Sequence, residues 1–260
     1  MHTPEKEIGA LPAYYPVNLL FELSQHRFWK PLLNIQLPAF NMNTRAIYRL
    51  HHVHIQVNDI ADHLNPLEGT QGPRRALFLK RWGTLLSPTS PGACRFSPDL
   101  LVPGAVEALF RASQAGWWIY LLGNEDEVAH GHVELETWER FEADLLQHLA
   151  KNGVRVARSY ACTDDPSDGV VGHRKESVYR LPNTGAMYHA KQADGVELKT
   201  SWVVGDESLE LAAGWRAGCL TAGILGERDC IKGSLETDTA FVAADLPTAL
   251  QALVSAVRAA

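Results

Sequence analysis

Four apolar runs of the sequence end at residues that could take part in chemistry. Lys80 follows "ALFL" and Asp206 ends "SWVVGD", while Gly123 and Cys162 end two further runs. Acidic side chains that share a cleft, such as Asp206 and Glu210, repel each other unless a cation lies near them. The stretch "GDES" is not a serine-hydrolase elbow, because the Gly-x-Ser-x-Gly spacing is absent. These residue types indicate a charged site that pairs carboxylates with a cation.

The elements that must position these residues alternate regularly from Arg74 onward. Short apolar runs are separated by stretches with helical spacing, for example 103–116 and 133–153, each of which ends at glycine. Strands that are apolar on both faces and alternate with helices predict an α/β three-layer sandwich with a parallel, Rossmann-like sheet. Ligands in such folds lie at the carboxyl ends of the strands, where Lys80 and Asp206 stand.

The first part of the chain has a less regular pattern. A helix is predicted within 17–33, a half-buried strand is predicted around Val53, Ile55 and Val57, and 65–73 has the composition of a linker. We therefore expect residues 1–73 to be an N-terminal extension and residues 74–260 to be the core domain.

Composition limits the classes of function. The chain is 46% apolar and 21% charged, as in ordinary globular proteins, and its net charge of -6 argues against a nucleic-acid partner. Its four cysteines form no CxxC pair, which favours reduced thiols in a cytoplasmic protein. The sequence contains neither an apolar run of roughly 18 residues nor an apparent signal peptide, so no membrane association is expected.

Segments of the chain resemble the motifs of a known superfamily. "RRALFLKRWGTLL", "WWIYLLGNEDEVAHG" and "YRLPNTGAMYHAKQADGVELKTSWVVGDESLELAAGWRAGC" occur in the order of the motifs of haloacid dehalogenase-like proteins. The similarity covers about residues 74–250 and is greatest to the capless heptose-bisphosphate and histidinol-phosphate phosphatases. It implies the superfamily fold and phosphoryl transfer through an aspartyl phosphate, with Mg²⁺ held by acidic residues.

The resemblance places unexpected residues at four catalytic positions. The nucleophile position is Lys80, whose ammonium cannot form an acyl phosphate, and the acid/base position is Trp82. The phosphate-binding Thr/Ser position is Gly123, and the phosphate-binding lysine falls on Leu181.

Other positions match the family. Asn124 and Arg180 match ligand-binding residues, and Asp206 and Glu210 match the acidic pair that holds Mg²⁺. In the zinc-binding loop of the family only Cys162 matches, because Asp164 stands where the resemblance implies a histidine, and Ser177 and Tyr179 stand where it implies cysteines. A structural zinc is therefore not expected.

Several residues allow two interpretations. Lys80 could replace Mg²⁺ by pairing with Asp206 and Glu210, or could extend to solvent. Trp82 could fill the space of a lost site or cover a ligand. Arg180 could bind an anion such as a sugar phosphate, or lie on the surface without a ligand. The acidic stretch "NEDE", 124–127, makes the mouth of the cleft unfavourable for phosphorylated substrates.

The sequence alone favours a pseudophosphatase that binds a protein partner or a small phosphorylated ligand and needs no cofactor. The alternative is a Mg²⁺-dependent sugar-phosphate phosphatase, acting on a substrate of the heptose-bisphosphate or histidinol-phosphate type, with an unrecognised nucleophile. Turnover in a phosphatase assay would distinguish the two.

Overall fold

Eight strands and six α-helices occupy the part of the chain described by the computed structural model, residues 47–50, 53–56, 74–87, 93–226 and 230–259. The strands are β1 (Ile47–Leu50), β2 (Val53–Gln56), β3 (Ala76–Lys80), β4 (Trp118–Asn124), β5 (Val156–Cys162), β6 (Trp202–Gly205), β7 (Leu220–Ile224) and β8 (Phe241–Ala243). The helices are α1 (Ala105–Gln114), α2 (Asp126–Ala129), α3 (Leu135–Lys151), α4 (Gly185–Asp194), α5 (Ser208–Ala217) and α6 (Leu246–Ala259).

Strands β3 to β8 form one parallel sheet in the order β5-β4-β3-β6-β7-β8. Leu79 of β3 lies opposite Leu121 of β4 on one side and Val204 of β6 on the other. The chain adds strands in one direction from β3 to β5 and in the opposite direction from β6 to β8. The reversal between β3 and β6 is the point of such a sheet where a crevice for a ligand forms.

Apolar side chains of the sheet point alternately into two cores. Leu77 and Leu79 pack in one core with buried residues of α1, α3 and α6, whereas Ala76 and Phe78 pack in the other with α4 and α5. This alternation is the period of two of a β-strand, and it buries both faces of the sheet. The predicted three-layer α/β sandwich is confirmed.

Of the two elements predicted for the first part of the chain, only the strand around Val53 and Ile55 lies within the described residues. Around Val53 and Ile55 the structure has an antiparallel pair, β1 and β2, with Ile47 opposite Gln56, rather than one strand. The helix expected within 17–33 lies outside the described residues, and the boundary between residues 73 and 74 stays a prediction. Across the described ranges, no helix has the length and apolar character needed to cross a membrane.

Candidate active site

A cleft of about 260 Å³ opens at the carboxyl ends of β3, β4 and β6. Of the eight residues at the catalytic, ligand-binding and metal positions of the family motifs, six line it, namely Lys80, Trp82, Asn124, Leu181, Asp206 and Glu210. Of the other two, Gly123 lies against Arg81 and Glu125, and Arg180 forms ion pairs with Asp126 and Asp165. The cleft therefore stands where the strand order reverses, as expected for an α/β sheet.

Lys80, the last residue of β3, places its ammonium among three carboxylates. Its Nζ lies 3.1 Å from Oδ1 of Asp206, 3.0 Å from Oε1 of Glu207 and 3.9 Å from Oε1 of Glu210. Only 12% of the Lys80 side chain is exposed, so it does not extend into solvent. Burial acts to lower the pKa of Lys80, but the charges of Glu210, Asp206 and Glu207 outweigh it and raise the pKa above its ordinary value.

The beginning of α5 holds these carboxylates in place. Glu207 is the N-cap of α5, and its backbone N–H donates to Oε1 of Glu210 at 2.6 Å, forming one half of a capping box. Oδ1 of Asp206 accepts a hydrogen bond of 3.2 Å from the Thr84 hydroxyl. Burial, the main influence on Glu210, raises its pKa to about 8. The three acidic side chains are thus held in place around the ammonium of Lys80.

The loop after β3 approaches Asp206 closely at Gly83. The φ angle of Gly83 is 87°, and a Cβ at this position would lie 2.4 Å from Oδ2 of Asp206. Only glycine adopts this backbone conformation without strain and leaves room for the carboxylate. Gly83 therefore allows Asp206 to lie beside the β3 loop.

Trp82 forms part of the cleft wall and is held from two directions. Its Nε1 donates to Oε2 of Glu125 at 3.2 Å, and its ring stacks on Phe141 with centroids 5.4 Å apart. Trp138 donates to the same carboxylate oxygen of Glu125 at 3.0 Å. Trp82 thus packs against the core side of the cleft and fills space there.

Arg81, a residue that the sequence did not single out, is fully buried next to this wall. Its guanidinium pairs with Glu125 and lies 3.0 Å from Oε1 of Glu142. The Ser159 hydroxyl accepts from Arg81 and donates to Glu142. Burial raises the pKa of Glu125 above its ordinary value, although the charge of Arg81 opposes this. Arg81 therefore supplies the positive charge for two buried acids.

The Arg81 pair explains the glycine at position 123. A Cβ on Gly123 would lie 2.7 Å from an Nη of Arg81 and 2.7 Å from Oε1 of Glu125. The side chain of threonine, expected here from the family motif, would occupy the space that Arg81 and Glu125 fill.

Gly123→Thr should therefore lower the free energy of unfolding by about 1–3 kcal/mol, the usual cost of inserting atoms into a packed core. Urea denaturation of the single variant, of Arg81→Met and of the double variant measures the effect as a double-mutant cycle. The cost of threonine should be smaller in the Arg81→Met background, where the guanidinium is gone. An equal cost in both backgrounds would contradict this explanation.

Asn124 and Leu181 hold two segments of the cleft together. The Asn124 side chain donates to the Leu181 carbonyl at 3.2 Å and accepts from the Leu181 N–H at 2.8 Å. The amide of Asn124 is thus used to position the segment after β5. A direct role of Asn124 in ligand binding stays a prediction.

Arg180 lies in an ion-pair cluster at the rim of the cleft. Its guanidinium lies 2.9 Å from Asp126, 2.7 Å from Asp165 and 2.9 Å from the Asp164 carbonyl. These two carboxylates compete with any anion for Arg180. His130 lies 3.2 Å from Asp165, and Asp126, His130 and Asp165 are the group of potential metal-ligating side chains found among the described residues.

The region that corresponds to the zinc loop is held by hydrogen bonds. The thiol of Cys162 donates to the Asp164 carbonyl at 3.5 Å, and the Ser177 hydroxyl accepts from the backbone N–H of Tyr179 at 3.2 Å. Burial, the main influence, raises the pKa of the Cys162 thiol above its ordinary value. The expectation of no structural zinc stays a prediction.

Two charged residues of the cleft were missed in the sequence. Glu207 directly follows Asp206, and its own acidic side chain was the only available signal. Lys232 lies far from β3 in sequence, but its Nζ pairs with Glu207, and its backbone N–H donates to the Asp206 carbonyl at 3.1 Å. Lys80 and Lys232 are the cationic side chains among the described residues that line the cleft.

Relatives with assigned functions resemble this chain over much of its length. The D-glycero-D-manno-heptose-1,7-bisphosphate 7-phosphatase of Thermosynechococcus vestitus is 30% identical over 191 residues, which is 69% of this chain and 95% of the relative. The D-glycero-beta-D-manno-heptose-1,7-bisphosphate 7-phosphatase of Pseudomonas aeruginosa is 30% identical over 118 residues, 45% of this chain and 62% of that enzyme, so the match spans less than two thirds of its length. No family model matches the sequence.

Solved structures share the fold. The D,D-heptose 1,7-bisphosphate phosphatase of B. bronchiseptica, complexed with magnesium and phosphate, aligns with a TM-score of 0.58 at 23% identity over 70% of this chain and 99% of that one. The D,D-heptose 1,7-bisphosphate phosphatase of Burkholderia thailandensis aligns with a TM-score of 0.50 at 18% identity, over 70% and 99% of the two chains. At these identities the likeness supports the fold alone.

The pseudophosphatase hypothesis is corrected by these relatives. It rested on Lys80 and Trp82 at the positions of the nucleophile and the acid/base, and it assumed that a replaced residue means a lost activity. The similar proteins of known function are phosphatases. The findings favour the alternative drawn from the sequence, a Mg²⁺-dependent sugar-phosphate phosphatase with an unrecognised nucleophile.

Proposed function

Because the chain belongs to the D-glycero-D-manno-heptose-1,7-bisphosphate 7-phosphatase family of the haloacid dehalogenase-like superfamily, we propose that it hydrolyses a phosphate monoester of the sugar-phosphate class. The observation that carries the proposal is the match to 95% of the T. vestitus phosphatase at 30% identity. The cleft at Lys80 supports it, since it lies at the carboxyl ends of the central strands and contains acids and cations. A small phosphorylated ligand and a cytoplasmic location stay predictions.

The magnesium of the B. bronchiseptica enzyme suggests a metal here, and the cleft allows a test of fit. Asp206, Glu207 and Glu210 offer the carboxylate oxygens that Mg²⁺ prefers. The ammonium of Lys80, however, lies 3.1 Å from Asp206 and 3.0 Å from Glu207, at the centre of these donors. In this arrangement the residues do not fit Mg²⁺, and no step of the mechanism passes through a metal ion.

The nucleophile in this proposal is a water molecule. An ammonium at position 80 cannot attack phosphorus and retain a phosphoryl group as an aspartate does, but it can bind phosphate oxygens. Lys80 and Lys232 would balance the negative charge that develops on phosphorus. Glu207, whose side chain is 17% exposed, is more accessible than Asp206 at 2% or Glu210 at 0%. Accessibility favours Glu207 as the base that contacts the water.

The proposed step balances in atoms and charge. The water oxygen forms a bond to phosphorus while the bond from phosphorus to the ester oxygen breaks. Glu207 accepts the proton of the water and returns it to the departing alkoxide, which leaves an alcohol and inorganic phosphate. Burial acts to raise the pKa of Glu207, but the hydrogen bond from Lys232 and the charge of Lys80 outweigh it and lower the pKa. Glu207 is therefore ionised at neutral pH and able to accept a proton.

Release of inorganic phosphate tests the proposal. The purified protein should hydrolyse heptose 1,7-bisphosphate or histidinol phosphate faster than buffer alone, with a preference for these compounds over an aryl phosphate. Asp206→Asn, prepared in the same way, should lose the activity, which separates it from that of a contaminating phosphatase. Phosphate release equal to the buffer rate for all three compounds would contradict the proposed function.

A further inference from the structure

We propose that the ammonium of Lys80 is the resident cation of the cleft and excludes divalent metal ions from Asp206, Glu207 and Glu210. The inference concerns the binding of metal ions to the protein in the absence of substrate. It therefore stands or fails independently of the proposed hydrolysis.

Distances provide the first argument. The Nζ of Lys80 lies 3.0 to 3.1 Å from oxygens of Glu207 and Asp206, which is an ammonium–carboxylate separation. Mg²⁺ requires oxygens at about 2.0–2.1 Å, and Ca²⁺ requires them at about 2.3–2.6 Å. The carboxylates would have to move inward, and the ammonium outward, before either ion could bind.

Rigidity provides the second argument. The Thr84 hydroxyl donates to Asp206, and the backbone N–H of Glu207 donates to Glu210. The close approach of Asp206 to Gly83 leaves the carboxylate no room on that side. The acids are thus held at the spacing that suits the ammonium.

Burial of an unpaired atom provides the third argument. Oε2 of Glu210 is buried and accepts no hydrogen bond from any described residue, and the Glu210 side chain is 0% exposed. A buried carboxylate oxygen of this kind is costly unless a positive charge lies near it. The Nζ of Lys80, 3.9 Å from the other oxygen of Glu210, is the charge that stabilises the ionised form and opposes the rise of the Glu210 pKa on burial.

Titration with Mg²⁺ and Mn²⁺ tests the inference in the full chain by calorimetry and by thermal melting. The wild-type protein should bind neither ion at millimolar concentration and should melt unchanged. Lys80→Ala should bind at least one ion roughly tenfold or more tightly than the wild type, and its melting temperature should rise with the metal concentration. Lys232→Ala also removes a lysine charge next to Glu207, but leaves Lys80 in place, and should bind neither metal ion.

Three results would overturn the inference. The first is that the wild type binds Mg²⁺ as tightly as Lys80→Ala does. The second is that Lys80→Ala folds but binds neither ion more tightly than the wild type. The third is that metal affinity increases as much in Lys232→Ala as in Lys80→Ala. If Lys80→Ala does not fold, the ¹⁵N signal of the Lys80 ammonium in the wild type decides. A signal unchanged by Mg²⁺ supports a resident cation, and a shift to the position of a solvent-exposed lysine contradicts it.

Discussion

Arg81→Met should lower the free energy of unfolding by about 3–5 kcal/mol, the usual cost of leaving a buried charge without its partner. Arg81 is fully buried and pairs with both Glu125 and Glu142. Methionine fills much of the same volume, so the loss reports charge rather than a cavity. Urea denaturation of the wild type and of the variant measures the difference.

Two further variants show whether the unpaired acids cause the loss. Arg81→Met combined with Glu125→Gln and Glu142→Gln removes the charges together and should recover most of the stability. Arg140→Met, which removes an exposed arginine that pairs with Glu136 on the surface of α3, should change stability little. Equal losses in the single and triple variants would show that packing, not charge, is responsible.

The loss in Arg81→Met should also depend on pH. Without Arg81, the pKa of Glu125, which burial already raises, rises further above its value in the unfolded chain, so the folded state binds more protons than the unfolded state. Stability then falls as pH rises above the unfolded pKa. The deficit of the variant should be larger near about pH 8 than near about pH 5. A deficit independent of pH would indicate that the two acids remain paired by another group.

Glu207→Gln should lower kcat for the sugar phosphate by about 10²–10⁴-fold, the usual contribution of a general base. The amide has the same shape and keeps an oxygen for the N-cap of α5, but it cannot accept the proton of water. KM should change less than kcat, since Lys80 and Lys232 remain. Steady-state phosphate release over a range of substrate concentrations separates the two constants.

The control is Glu136→Gln, the same chemical change on the exposed face of α3, where the side chain is 77% exposed. It should leave both constants unchanged. If Glu207→Gln raises KM while kcat is kept, Glu207 binds substrate but is not the base. If neither constant changes, the proton acceptor lies elsewhere in the cleft.

Trp82 shows how a sequence position acquires its role from its neighbours. In the sequence Trp82 stands at the position of the acid/base, and it could either fill the space of a lost site or cover a ligand. In the structure its N–H donates to Glu125 and its ring stacks on Phe141, so it is a fixed part of the wall. Neither partner is near it in sequence, and no local pattern indicates that they meet.

The sequence by itself determined the layers of the fold and the edge of the sheet at which the cleft lies. Apolar runs and amphipathic stretches report burial locally, because each strand and each helix must cover its own apolar face. For the same reason Lys80 and Asp206 were recognisable as ends of strands. Parallel strands then bring such ends to one edge.

Only the tertiary structure decided which charges meet. Lys232 forms an ion pair with Glu207. Arg81 forms ion pairs with Glu125 and Glu142. Arg180 forms ion pairs with Asp126 and Asp165. Pairing energies depend on distances of a few ångströms between residues far apart in the chain, and on how far water is excluded from them. Neither quantity has a periodic signature in a sequence. The alternation of apolar residues therefore predicts the scaffold, and the packed fold alone determines the electrostatics of the cleft.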